Sequence, residues 1–75
     1  MTRHIVTFSH YSESGNASDT FHFSDKKAAQ EKFLELRDVI EHNYADCPDV
    51  EIIDEPDFFG MRNPEDGSFA RVTLD

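Results

Sequence analysis

The carboxylates of the stretch DVEIIDEPDFFG, residues 49–60, offer the most evident chemistry in this chain. Five of them alternate with aliphatic and aromatic residues, and no basic residue interrupts the run: Asp49, Glu51, Asp54, Glu55 and Asp57. Carboxylates at this density could coordinate a divalent cation or present negative charge to a basic partner. Their spacing decides between these two uses.

A calcium loop places oxygen ligands at fixed offsets around a glycine, in the pattern D-x-[DN]-x-[DN]-G-x5-E. Neither DEPDFFG (54–60) nor NPEDGS (63–68) follows that pattern. Successive side chains of a strand also point to opposite faces, so neighbouring acids do not converge on one ion. The sequence therefore predicts no specific metal site, and it predicts no cofactor.

Two other side-chain types could support catalysis. If the first hairpin turns at Ser14–Gly15, His10 lies opposite Asp19, and such a pair could bind a metal or act as a general base. The chain has no G-x-S-x-G motif and no two-histidine helical zinc motif, so we expect a histidine–aspartate contact without chemistry. Cys47 lies among acids that disfavour a thiolate, which predicts an inert thiol. No catalytic residue is predicted.

The first of the elements that must position these residues is a hairpin over residues 3–24. RHIVTFSHY and SDTFHFS are rich in β-branched and aromatic residues and flank the turn formers SESGNAS. A two-residue turn at Ser14–Gly15 would pair Phe8 with Phe21. The apolar residues then share one face: Val6, Phe8, Phe21 and Phe23.

A helix follows at about residues 25–43. Apolar residues recur there at steps of three and four: Ala29, Phe33, Leu36, Ile40 and Tyr44. Ser24 is the expected N-cap, and Pro48 lies beyond the end.

Three strands complete the chain. DVEIIDE reads as a strand whose Val50 and Ile52 face the core, and NPEDGS is a turn that pairs Asn63 with Ser68. The predicted class is α+β in the order ββαβββ, a single domain of residues 1–75 in which one antiparallel sheet carries one helix on one face. The final strand is expected to leave an exposed edge. The predicted core comprises Val6, Phe8, Phe21, Phe23, Phe33, Leu36, Ile40, Val50, Ile52, Phe59, Met61, Val72 and Leu74.

The net charge of −9 limits the plausible partners. Residues 38–66 carry ten acids and one base, Arg62, whereas the rest of the chain carries six of each. This distribution argues against direct nucleic-acid binding and against an anionic membrane. No signal peptide and no membrane-length apolar run are visible, so a cytoplasmic location is expected. One helix on one sheet rarely encloses a cavity of the usual ~300–1,000 Å³, so the protein is not expected to be an enzyme.

The charge map predicts a protein-binding module that docks a basic surface, such as that of a nucleic-acid-binding protein. Such a module would be analogous, in its small size and acidic charge, to inhibitors that phages and mobile elements encode, anti-CRISPR proteins among them. The alternative is a homodimer or other structural subunit that pairs through a sheet edge, with acids serving solubility. The predicted binding residues are Asp38, Glu41, Asp49, Glu51, Asp54, Glu55, Asp57 and Phe58.

Overall fold

A computed structural model describes residues 4–75 and confirms the α+β class. Five antiparallel strands form one sheet, and a single helix packs on one face of it. The element order is ββαβββ, as the sequence predicts. The elements are β1 (His4–Ser12), β2 (Gly15–Phe23), α1 (Lys26–Asn43), β3 (Glu51–Glu55), β4 (Phe58–Arg62) and β5 (Phe69–Leu74).

The strand order across the sheet is β2-β1-β5-β4-β3. The last strand of the chain is thus the middle strand of the sheet, and the prediction that it leaves an exposed edge is wrong. The helix connects β2, at one edge of the sheet, to β3 at the opposite edge. Strands β3, β4 and β5 then lie side by side, and β5 pairs with β1. The two edges are β2 and β3.

The first hairpin has a different register from the predicted one. Its turn is Glu13–Ser14, which pairs Ser12 with Gly15 and places Val6 opposite Phe21. Gly15 has a φ of 141°, which glycine adopts without strain. It is therefore the first paired residue after the turn and not a residue of the turn itself. Because the shift is two residues, every side chain keeps its predicted face.

The helix begins and ends within one residue of the prediction, but its N-cap is Asp25, not Ser24. The Asp25 carboxylate accepts a hydrogen bond from the backbone N–H of Lys27 at 3.1 Å, which satisfies one of the free donors of the first turn. Among residues 4–75, no helix is long and apolar enough to cross a membrane.

The turn between β4 and β5 has the predicted register. The backbone N–H of Asn63 donates to the carbonyl of Ser68 at 2.8 Å, and Gly67 takes a φ of 76°. The Asp66 carboxylate accepts from the Ser68 N–H at 2.8 Å. Hydrogen bonds from the side chain and backbone of Ser68 lower the pKa of Asp66 below its ordinary 3.8.

The core lies between α1 and the centre of the sheet. Its buried members are Val6, Ala29, Phe33, Ile40, Phe59, Ala70 and Val72. The predictions of Val50 and Ile52 as core residues are wrong: Val50 precedes β3 and is half-buried, and Ile52 is 54% exposed. Within residues 4–75, no Cα of β3 lies within 8 Å of a helix Cα, so the helix does not cover this strand.

Candidate functional site

Strand β3 is a short edge strand that carries the acidic stretch. All five of its residues are exposed, and both Ile52 and Ile53 are 54% exposed. Glu55 pairs with Phe58 across a two-residue turn. Residues of an antiparallel strand alternate between hydrogen bonding to the neighbouring strand and pointing away from it. The backbone N–H and C=O groups of Ile52 and Asp54 therefore point away from β4. The edge therefore presents free backbone donors and acceptors at Ile52 and Asp54, on either side of the exposed Ile53.

Arg37 on α1 links the helix to this edge. Its guanidinium donates to Asp54 at 3.0 Å and to Glu41 at 3.1 Å, and it lies 4.5 Å from the ring centroid of Phe59. The hydrogen bond to Glu41 is the main cause that raises the pKa of Arg37 above its ordinary value, and the charge of Asp54 adds to it. Two of the predicted binding acids, Glu41 and Asp54, are thus paired within the protein, although they share a single positive charge.

A third predicted acid is also paired. Glu51 accepts from Arg62 at 2.7 Å, across the β3–β4 ladder. Both side chains are about half exposed, so this pair contributes little to stability and can exchange partners.

The other predicted acids have no ion-pair partner among residues 4–75: Asp38, Asp49, Glu55 and Asp57. Asp49 lies in the turn before β3, at a φ of 58°, and Asp57 lies in the turn after it. Asp38 is exposed on α1, roughly on the opposite side of the helix from the buried Ile40.

The acids surround the strand instead of forming one flat patch. Strand alternation places Asp54 on the helix side of the sheet, and Glu51 and Glu55 on the helix-free side. The two flanking turns are separated by the length of β3, roughly 13 Å at ~3.3 Å per residue. We call this set, Asp49 to Asp57 on and around β3, the acidic edge.

A groove of about 490 Å³ runs between α1 and the β3–β4 turn. Leu34, which is 57% exposed, and Pro56 give it an apolar lining, and Asp54 and Glu55 lie on its β3 side. Leu34 and Arg37 were not among the predicted site residues. The sequence feature that could have identified Leu34 is its position, one residue after Phe33 of the apolar helix stripe.

Phe58 lies on the helix-free side of the sheet, opposite Glu55. It is half-buried and contacts a depression lined by Ile53 and Gly60. Phe58 is therefore adjacent to the acidic edge but faces away from the groove at Leu34.

The predicted contact between His10 and Asp19 is wrong. The observed register places His10 opposite Ala17 and Asp19 opposite Phe8. Within residues 4–75, no three His, Cys, Asp or Glu side chains are grouped so that they could hold a metal ion. Cys47 is half-buried, and its sulfur accepts a long hydrogen bond of 3.8 Å from Asn63.

Comparison with protein-family models, with curated proteins and with solved structures finds no match to this chain.

Proposed function

We propose that the protein is a non-enzymatic binding module that docks a basic surface of a partner protein through its acidic edge. The observation that carries this proposal is the environment of β3. This edge strand pairs on one side only, and its two isoleucines, each 54% exposed, have carboxylates on both sides of them. Exposed apolar area surrounded by charge is typical of a protein interface.

The unpaired acids favour a basic partner. Asp49, Glu55 and Asp57 have no cation within ion-pair distance in the described chain, so their charge is available for attraction. Such charge raises the rate of association with a basic surface and orients the approach. Ile52, Ile53 and the groove at Leu34 supply the apolar area that the complex buries.

An open backbone edge supplies a second kind of contact. A partner strand could pair with the outward groups of Ile52 and Asp54 and so extend the sheet. Antiparallel pairing of two β3 strands centred on Ile53 would instead oppose Glu51 to Glu55 of the copy, and like charges directly opposite are destabilising. The edge therefore favours a different, basic protein over a second copy.

Proteins with large basic grooves are commonly those that handle nucleic acids. We infer that a module of this charge would occupy such a groove and compete with the nucleic acid, which would make it an inhibitor.

The homodimer is the second candidate, and strand β2 is the observation that favours it. The outer edge of β2 is nine residues long and carries a single acid, Asp19. Self-pairing along β2 would meet less repulsion than self-pairing along β3, with the acids serving solubility.

Charge reversal distinguishes these candidates. The site variant is Asp49→Lys, Glu55→Lys and Asp57→Lys, which leaves the ion pairs of Arg37 and Arg62 intact. The control variant is Glu13→Lys, Glu31→Lys and Glu65→Lys, which changes the net charge equally at exposed positions outside β3 and its two flanking turns. Tagged proteins are incubated with a lysate of the source cells at low and high salt, and captured proteins are identified by mass spectrometry.

We expect the unmodified protein and the control variant to capture the same basic protein at low salt and to release it at high salt. The site variant should lose it while keeping its circular dichroism spectrum. Equal capture by both variants would refute the acidic edge as the docking surface. Capture of this chain alone, undiminished by salt, would favour the β2 homodimer.

A further inference from the structure

The helix-free face of the sheet contains an arginine that no carboxylate of residues 4–75 neutralises. Arg71 lies in β5, the middle strand, and has no ion-pair partner among residues 4–75. Arg37 and Arg62, by contrast, each contact carboxylates of this chain. In a protein of net charge −9, one unpaired guanidinium at the centre of an uncovered face is a local exception.

Aromatic rings adjoin this arginine. The guanidinium carbon of Arg71 lies 5.4 Å from the ring centroid of Phe69. Phe69 in turn stacks on Tyr11 of β1, with centroids 5.7 Å apart and an angle of 15° between the rings. Tyr11 is 43% exposed, so the stack is accessible to solvent at its β1 end.

A depression of about 430 Å³ adjoins Arg71 on the side of β4, away from Tyr11 of β1. Its apolar walls include Ile53, Phe58 and Phe69. Its charged lining consists of Arg71 and of the Arg62–Glu51 pair, in which Glu51 already has a cationic partner at 2.7 Å. Gly60 pairs with Arg71 across the β4–β5 ladder and leaves the space open: a Cβ at Gly60 would lie 3.4 Å from the Cβ of Arg71 and 3.4 Å from the Cε1 of Phe58. Apolar walls with few polar groups, at this volume, are typical of sites for small organic ligands.

The charge selects among possible occupants. A second copy packed on this face about a two-fold axis at the middle strand would bring Arg71 close to its own counterpart, which is unfavourable. An anion would instead gain a charge-assisted hydrogen bond, and a guanidinium suits the planar geometry of a carboxylate.

We propose that the helix-free face binds a small planar organic anion, an aromatic ring that carries a carboxylate. The ring enters the depression against Ile53 and Phe58, and the carboxylate pairs with Arg71. This site goes beyond the proposed docking function. It borders the acidic edge at Glu51 and Ile53, but it does not depend on that function, because its anion-binding group, Arg71, lies in β5 outside the acidic edge.

The test is an NMR titration of the ¹⁵N-labelled protein with 2-naphthoate, beside 2-naphthylmethanol and acetate as probes that lack the charge or the ring. We expect naphthoate to shift the amide signals of Gly60, Phe69 and Arg71 in a saturable way, and the other two probes to bind at least about tenfold more weakly. Arg71→Gln should weaken naphthoate binding about tenfold, and Phe69→Leu should weaken it as well.

The matched control is Lys27→Gln, which removes one positive charge from the exposed start of α1 and should leave the affinity within about twofold. Equal affinity of the Arg71→Gln and unmodified proteins would overturn the proposal. So would equal binding of naphthoate and acetate, or shifts spread over all cationic residues. A blocked acidic peptide, acetyl-Asp-Phe-Glu-amide, is titrated in parallel, and binding of this peptide without binding of naphthoate would also overturn it.

Discussion

Strands β5 and β3 belong to the same antiparallel sheet. They differ in the number of strands they pair with, in their contact with the helix and in the exposure of their side chains. β5 is paired on both sides and packs against α1, with Ala70 and Val72 at 3% and 0% exposure. β3 is paired only with β4, and all five of its residues are exposed. Position in the sheet, more than apolar content, separates these strands, because EIIDE and FARVTL both contain large apolar residues.

The difference separates two roles within one small sheet. The centre buries side chains between sheet and helix, and each fully buried Val, Ile or Phe contributes about 1.5–3 kcal/mol. The edge has free backbone groups, exposed isoleucines and unpaired carboxylates, so it can change partners without disturbing the core. Edges that natural proteins leave open are commonly protected by charge, and the acids of β3 give that protection against self-pairing.

The largest expected difference between the two strands follows from placing a threonine in each of them. Val72→Thr places a hydroxyl in a fully buried site and should destabilise the protein by about 1–3 kcal/mol. Ile52→Thr keeps the β-branched shape at an exposed site and should change the free energy of unfolding by less than about 0.5 kcal/mol. Urea denaturation measures both values. Equal losses would show that β3 contributes to the core as much as β5 does.

Hydrogen exchange tests the backbone side of the same comparison. The amides of Ala70 and Val72 lie in a strand paired on both sides, whereas those of Ile52 and Asp54 point away from β4. We expect the two β5 amides to exchange at least ~100-fold more slowly than the two β3 amides, because their hydrogen bonds break only when much of the sheet unfolds. NMR-detected exchange in deuterated buffer measures this. Comparable protection at Ile52 would indicate that a second chain already covers the edge.

The two flanks of the helix offer a smaller test. Arg37 contacts Glu41, Asp54 and the Phe59 ring, whereas Lys32 on the other flank contacts Glu35 and lies 4.6 Å from the Phe21 ring centroid. Arg37→Gln should therefore lower the Tm more than Lys32→Gln does, because it leaves two carboxylates without a partner. The difference should shrink in high salt. A larger effect of Lys32→Gln would mean that Arg37 does not connect the helix to β3.

The smallest expected effect concerns the turn that leads into β5. Because the pKa of Asp66 is lowered in the folded state, its carboxylate stabilises the fold at pH values above its ordinary 3.8, and this contribution is lost as the pH falls through the lower folded pKa. Asp66→Asn should thus lower the Tm slightly at pH 7 and by less at pH 3, below the ordinary pKa of 3.8. Thermal unfolding at both pH values measures this.

The matched control for that measurement is Glu65→Gln, at an exposed neighbouring carboxylate. A loss at pH 7 as large as that of Asp66→Asn would assign the effect to net charge and not to the hydrogen bonds of Ser68.

Local pattern was sufficient to predict much of this fold. The helix stripe, the face of each hairpin residue and the pairing of Asn63 with Ser68 all follow from periodicity and turn chemistry, which are properties of neighbouring residues. The faces in the first hairpin were right although its register was wrong, because a shift of two residues preserves alternation. The acidic stretch was also identifiable by sequence, since charge density needs no coordinates.

Tertiary structure decided what local pattern could not. Strand order depends on how the helix crosses the sheet, so only the structure placed β5 at the centre and β3 at the edge. That placement exposed Ile52, excluded it from the core and left Arg71 unpaired on the open face. The physical reason is that burial and ion pairing are set by contacts between residues far apart in the chain, and the same apolar strand pattern fits either position in the sheet.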